Sequence, residues 1–196
     1  MVALCVSKDK IKNVEGHKWV SGKFNKLIDN VAVESPLEIC VSEVKNSVAR
    51  PISITMRTPG DDAELAMGFL HGEGLFSELN PHDLQQIEVD VFEEENRVLV
   101  HIPECINVDE EYLTRNFYTT SSCGVCGKSS INALLLTVPA TSLISKEKIE
   151  PDLINALKQK MQNRQSDFEA TGGTHASAIF NSAGDLMHFA EDVGRH

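Results

Sequence analysis

The sequence predicts a mixed α/β protein, α+β overall, built in two parts. A strand-rich N-terminal domain is expected over residues 1–113 and a second α/β domain over residues 114–196. Three observations point there. Short apolar runs with period-2 character crowd the stretch from Lys18 to Met56. A long amphipathic helical pattern runs from Pro151 to Arg164, with proline near its first turn. A strand–turn–strand text follows over His175–Asn181 and Leu186–Ala190, joined at Ala183-Gly184-Asp185.

Taken in order, Lys26-Leu27-Ile28, Leu37-Glu38-Ile39-Cys40-Val41 and Pro51-Ile52-Ser53-Ile54-Thr55-Met56 read as strands. Thr58-Pro59-Gly60-Asp61 then punctuates the chain. Asp61 with Glu64 three residues later has the form of a capping box, and Leu65, Phe69 and Leu70 would line one face of the helix that follows. Gly72 and Gly74 end it. Gln86–Phe92 and Asn96–Ile102 read as a hairpin around Glu93-Glu94-Glu95, a charge run that suits a solvated turn. Arg115–Thr120 reads as a strand, and Ser129–Leu136 has helical character.

A chain of 196 residues with 41% apolar and 24% charged residues can bury one sound core or two small ones. No window approaches the roughly 18 apolar residues of a membrane span, and the N-terminus turns polar too early for a signal-peptide core. A cytoplasmic location is the expectation. The net charge of −11 disfavours nucleic acid, whose phosphates attract basic faces. Five cysteines, an odd number, without an export signal argue against a disulfide framework and for thiol or metal chemistry.

The sharpest local motif is Ser121-Ser122-Cys123-Gly124-Val125-Cys126-Gly127-Lys128-Ser129. Two thiols two residues apart can share a metal, form a disulfide or relay sulfur. A position before a helix and beside Lys128 would lower the pKa of a nucleophilic cysteine, and the flanking glycines let the loop bend tightly. One CxxC alone leaves redox or sulfur chemistry, zinc binding and plain buried thiols all open. Zinc needs two further ligands, and there is no second CxxC. A dithiol oxidoreductase and a zinc-stabilised scaffold therefore stand as alternatives to sulfur transfer.

Two more segments carry candidate site residues. Ala170-Thr171-Gly172-Gly173-Thr174-His175 sets paired glycines before a strand, a turn that can offer backbone donors to an anionic ligand or serve as a tight turn only. Glu191-Asp192-Val193-Gly194-Arg195-His196 gathers ionisable groups around one glycine. Arg195 could clamp a phosphate and His196 move protons, or the whole could be a salt-bridged strand end.

Thr58-Pro59-Gly60-Asp61-Asp62 with Gly68-Phe69-Leu70 and Glu73-Gly74, then the CxxC segment, then Thr171–Ala176, then Glu191–His196 resembles the FdhD family in content and order. The resemblance implies a cytidine-deaminase-like α/β/α fold for the second domain. It implies a sulfurtransferase with a cysteine persulfide on Cys123, assisted by Cys126. Sulfur would come from a cysteine desulfurase and pass to the bis-molybdopterin guanine dinucleotide cofactor needed for formate dehydrogenase. Gly172, Gly173, His175, Arg195 and His196 would contact that cofactor, and no permanently bound metal is expected. Deamination itself does not fit: a deaminase needs Glu beside its ligand His and Pro before its CxxC, but Ala176-Ser177 follows His175 and Ser122 precedes Cys123. Family members continue past the final motif with a nucleotide-binding segment, so further chain beyond His196, or a homodimer covering the open sheet, is expected.

Overall fold

The computed structural model describes residues 9–42, 48–76, 79–103, 117–118 and 148–195. Among them the fold is mixed α+β and strand-rich, as expected. The described residues form two compact units, but a single cut near residue 113 does not separate them. Residues 35–118 make the first unit. Residues 9–34 join residues 148–195 in the second. An isolated two-stranded ribbon is marginal in water, so the N-terminal hairpin is held by what it packs on, which lies at the other end of the chain.

In the first unit, β3 (Ser35–Ser42) pairs antiparallel with β4 (Arg50–Arg57), and β5 (Glu88–Phe92) pairs antiparallel with β6 (Arg97–His101). The hairpin then docks in parallel on β3, and β7 (Phe117–Tyr118) adds beside β4, giving the order β5-β6-β3-β4-β7. Helix α1 (Asp62–Gly72) covers the sheet. Leu37, Ile39 and Val41 alternate with the less deeply set Glu38 on β3, and they meet Val98 and Val100 of β6 with Ala66 and Leu70 of α1 in the core. The expected apolar face of α1 is rotated slightly: Ala66 and Leu70 are buried, while Leu65, Met67 and Phe69 pack at the margin. Helix α2 (Pro81–Leu84) is one turn capped by Asn80, whose side chain accepts from the backbone N–H of His82 and Asp83 at 2.9 and 3.0 Å. Residues 93–95 form the expected solvent-facing turn, closed by Asn96 in the left-handed conformation.

The capping box is not made. Asp61 occupies the N-cap position, but its side chain forms no capping hydrogen bond. Its neighbour Asp62 turns inward instead. Asp62 accepts two hydrogen bonds from Arg57, at 2.8 and 2.9 Å, and Arg57 also donates to Asn96 Oδ1 at 3.1 Å. Arg57 is 2% exposed and Asp62 5%. This pair staples the end of β4 to the first turn of α1 across the Thr58-Pro59-Gly60-Asp61 turn, where Gly60 adopts φ 134°.

In the second unit, β1 (Ile11–Val20) and β2 (Lys23–Ala32) form a ten-pair antiparallel hairpin closed by Ser21 and Gly22, both at positive φ. Helices α3 (Pro151–Gln162) and α4 (Ser166–Thr171) precede the antiparallel pair β8 (His175–Phe180) and β9 (Leu186–Asp192). The turn before β9 packs on α3. Gly184 sits at φ 81°, its carbonyl accepts from Lys160 Nζ, and a Cβ there would stand 2.7 Å from the Leu153 methyl. Gly184→Ala combines left-handed strain with that clash, so a loss of about 1–3 kcal/mol is expected. Chemical unfolding followed by circular dichroism would measure it, and a change within error would show that α3 moves aside freely.

Candidate functional site

The glycine pair at residues 172–173 exists because α4 ends there. Gly172 is the left-handed cap, at φ 65°, and its N–H donates to Phe168 O at 2.7 Å. The Thr171 hydroxyl donates to Asp167 O at 2.6 Å and accepts from Gly173 N at 3.2 Å, which holds the turn. Gly173 lies against the end of β2, where a side chain would meet the Ala32 methyl at 3.4 Å. The chain then enters β8 at Thr174 and His175.

Opposite, β9 delivers the acidic segment. His175 pairs in register with Asp192 and Ala176 with Glu191. Glu191 is 7% exposed and accepts three hydrogen bonds: from Asp167 N at 3.1 Å, Phe168 N at 2.9 Å and the Thr174 hydroxyl at 3.0 Å. It thereby caps the N-terminus of α4, for which Gln165 supplies no side-chain cap. Glu191 is thus a structural brace for the loop. Glu191→Ala would leave two helix N–H groups and a buried hydroxyl without that acceptor, and a loss of about 1–3 kcal/mol is expected in urea unfolding. Retention of full stability would show that water replaces the carboxylate.

Beyond Glu191 the loop turns at Gly194, whose N–H donates to Asp192 Oδ1 at 2.6 Å. This turn brings Arg195 back over His175, with Arg195 Nε facing His175 Nε2 at 3.4 Å. In that contact Arg195 Nε–H donates and His175 Nε2 accepts. Both side chains are exposed. His175 and Arg195, twenty residues apart in sequence, are thereby brought together, with Gly172 and Gly173 in the turn that leads into β8. Cys123, Cys126, Lys128 and His196 lie outside the described residues, as does the expected helix at 129–136. Thr171, Thr174 and Glu191 are the residues whose positioning role the motif alone did not reveal. Asp167 and Phe168 of α4 supply backbone partners to Thr171 and Glu191, and a six-residue helix leaves little periodicity to read.

Cys40 is the free cysteine among the described residues. It is 3% exposed on β3, and burial, with the Glu38 carboxylate beside it, pushes its pKa up to about 11. It stays a thiol at neutral pH and is a poor nucleophile. Among the described residues no cluster of three metal-ligating side chains occurs, and no helix is long and apolar enough to cross a membrane.

A strand-rich α+β fold is shared with a known protein. The crystal structure of a protein described as a formate dehydrogenase accessory protein, from Desulfotalea psychrophila, superposes on 95% of this chain and 65% of that one, with a TM-score of 0.59 at 19% identity. This likeness defines the fold class. The chain belongs to the FdhD/NarQ family, whose model matches residues 32–196. Proteins named sulfur carrier protein FdhD are 40% identical over 175 residues in Streptomyces avermitilis and 38% identical over 187 residues in Sulfolobus acidocaldarius. These matches cover 86% and 95% of this chain, but only 59% and 66% of those relatives.

Proposed function

We propose that this chain is a sulfurtransferase that carries sulfur on Cys123 as a persulfide. Sulfur would pass from a cysteine desulfurase to the bis-molybdopterin guanine dinucleotide cofactor used by formate dehydrogenase, in the cytoplasm. The observation that carries the reading is that the family match spans the whole CxxC segment, in a chain whose relatives are named sulfur carriers. In the first step the Cys123 thiolate attacks the outer sulfur of a donor persulfide. A Cys123–sulfur bond forms, the donor S–S bond breaks, and the donor leaves as a thiolate with the electron pair. In the second step Cys126 attacks the inner sulfur of that persulfide. A Cys123–Cys126 disulfide forms and sulfide leaves for the metal, so the dithiol supplies the two electrons that turn sulfane sulfur into sulfide.

The cofactor is here a substrate with anionic phosphates. Gly172, Gly173, His175 and His196 would line its path, and Arg195 would hold a phosphate by paired N–H donors. Incubation with a cysteine desulfurase and cysteine should add the mass of one sulfur atom to the intact chain, removable by dithiothreitol and mapped by peptide mass to Cys123. Addition at Cys40, or no addition at all, would refute the carrier role. Stoichiometric zinc on the CxxC would favour a cofactor-binding scaffold in its place.

A further inference from the structure

The residues at 172 and 173 are both glycine, for different reasons. Gly172 needs its left-handed conformation, at φ 65°, to end α4. Gly173 is not at positive φ, so conformation alone does not demand glycine there. Its N–H donates to the Thr171 hydroxyl, as that of Gly172 donates to Phe168 O, so each amide already has an acceptor inside the turn. What singles out Gly173 is space. A Cβ there would stand 3.4 Å from the Ala32 Cβ and 4.0 Å from the Ala32 N, at the last residue of β2.

The same contact accounts for residue 32. Alanine is a poor strand former, yet it stands between Val31 and Val33 where β2 ends. A branched side chain there would press on the turn that Gly173 completes. The foot of the hairpin is tied down: Ile11 pairs with Ala32, and Val33 N–H donates to Lys10 O at 2.9 Å. From β9, Glu191 holds the Thr174 hydroxyl and two N–H groups in the first turn of α4. The turn that leads to His175 is thus fixed by β9 through Glu191 and by β2 through Ala32, all within the second unit.

We propose, on the reading that His175 and Arg195 meet the cofactor, that Ala32 is a positioning residue for that site. Its contact with Gly173 sets where Thr174 and His175 stand, and so whether His175 and Arg195 can face one bound phosphate together. A strand at the other end of the chain thereby takes part in substrate binding without touching substrate. A ligand group misplaced by a fraction of an ångström loses much of its interaction, which is why a methyl at this contact carries weight.

Calorimetric binding of guanosine diphosphate, the nucleotide end of that cofactor, to the full chain tests this. Ala32→Val and Gly173→Ala should each weaken binding about tenfold. Ala32→Gly combined with Gly173→Ala moves the methyl from one side of the contact to the other and should restore wild-type affinity. The His175 imidazole resonances should shift in Gly173→Ala and return in the double variant. Ala32→Val should still take up sulfur on Cys123 from a desulfurase at the wild-type rate, since loading needs no cofactor. Circular dichroism establishes that each variant folds, and if Ala32→Val does not, Gly173→Ala and its double variant decide alone. Wild-type affinity in both single variants would overturn the positioning role and leave the cofactor site standing. So would a double variant as weak as Gly173→Ala. A wild type that loads sulfur but binds no guanosine diphosphate would overturn the cofactor site, and the positioning role with it.

Discussion

Cys123→Ala is expected to abolish the maturation of formate dehydrogenase, to the level of a strain lacking this protein, a loss on the order of 10³-fold or more. A serine or alanine at that position cannot form a persulfide, so the carried atom has no attachment point. The loss should be chemical and not structural. Unfolding midpoints of the purified variant should match the wild type, and the sulfur added by a desulfurase should disappear from the mass spectrum. Cys126→Ala separates the two thiols. Under the relay described above it still loads sulfur on Cys123, because loading needs one thiolate, but delivery slows because no second thiol forms the disulfide that expels sulfide. A Cys123→Ala protein that matures the enzyme at wild-type rates would sink the mechanism. A Cys126→Ala protein that neither loads nor delivers would reverse the assignment of the two thiols.

The largest effect expected on stability is at Asp62. Its carboxylate and the Arg57 guanidinium are nearly fully buried and joined by two short hydrogen bonds. Removing one partner of such a pair leaves an uncompensated charge in a dry interior, which costs about 3–5 kcal/mol. Against a total stability of about 5–15 kcal/mol for an ordinary domain, that loss unfolds a sizeable fraction of the molecules. Arg57 Nη1 is already buried without a hydrogen-bond partner, and without Asp62 the guanidinium keeps the neutral Asn96 Oδ1 but loses its counter-charge. Asp62→Ala should therefore lower the urea midpoint sharply at unchanged slope. Replacing both residues, Arg57→Met with Asp62→Leu, should recover much of the loss, because no charge then remains to be buried. If Asp62→Ala alone proves neutral, solvent reaches Arg57 and the pair is not the staple described above.

The comparison of expectation with structure divides along the range of the interactions. β3, β4, the β5–β6 hairpin, α1, α3 and the β8–β9 pair all stand close to where the apolar spacing placed them. Each presents one face or edge to a core, so burial writes a period into its residues. β1 was not legible, since the burial of Ile11–Val20 follows no alternation and both faces of the hairpin tip meet water. Helix α4 was missed for another reason: its N-terminal cap, Glu191, arrives from β9 more than twenty residues later. The capping box at Asp61 had the right letters, but Arg57 drew the neighbouring carboxylate inward, and a buried charge outweighs a solvent-exposed cap.

The site divides in the same way. The glycines at 172 and 173 and Arg195 stood out by residue type and local density, since turns and anion contacts demand particular residues, and the resemblance to the FdhD family added His175. That His175 and Arg195 meet depended on the antiparallel register of β8 with β9 and on the turn at Gly194. Local letters therefore determined which segments are strands, helices and turns, and which residue types could do chemistry. Only tertiary structure decided the parallel docking of β6 on β3, the grouping of residues 9–34 with 148–195, and the division of Glu191 and Arg195 into brace and ligand candidate. Those outcomes are contacts between segments far apart in sequence, and a non-local contact leaves no periodicity in either segment by which it can be read.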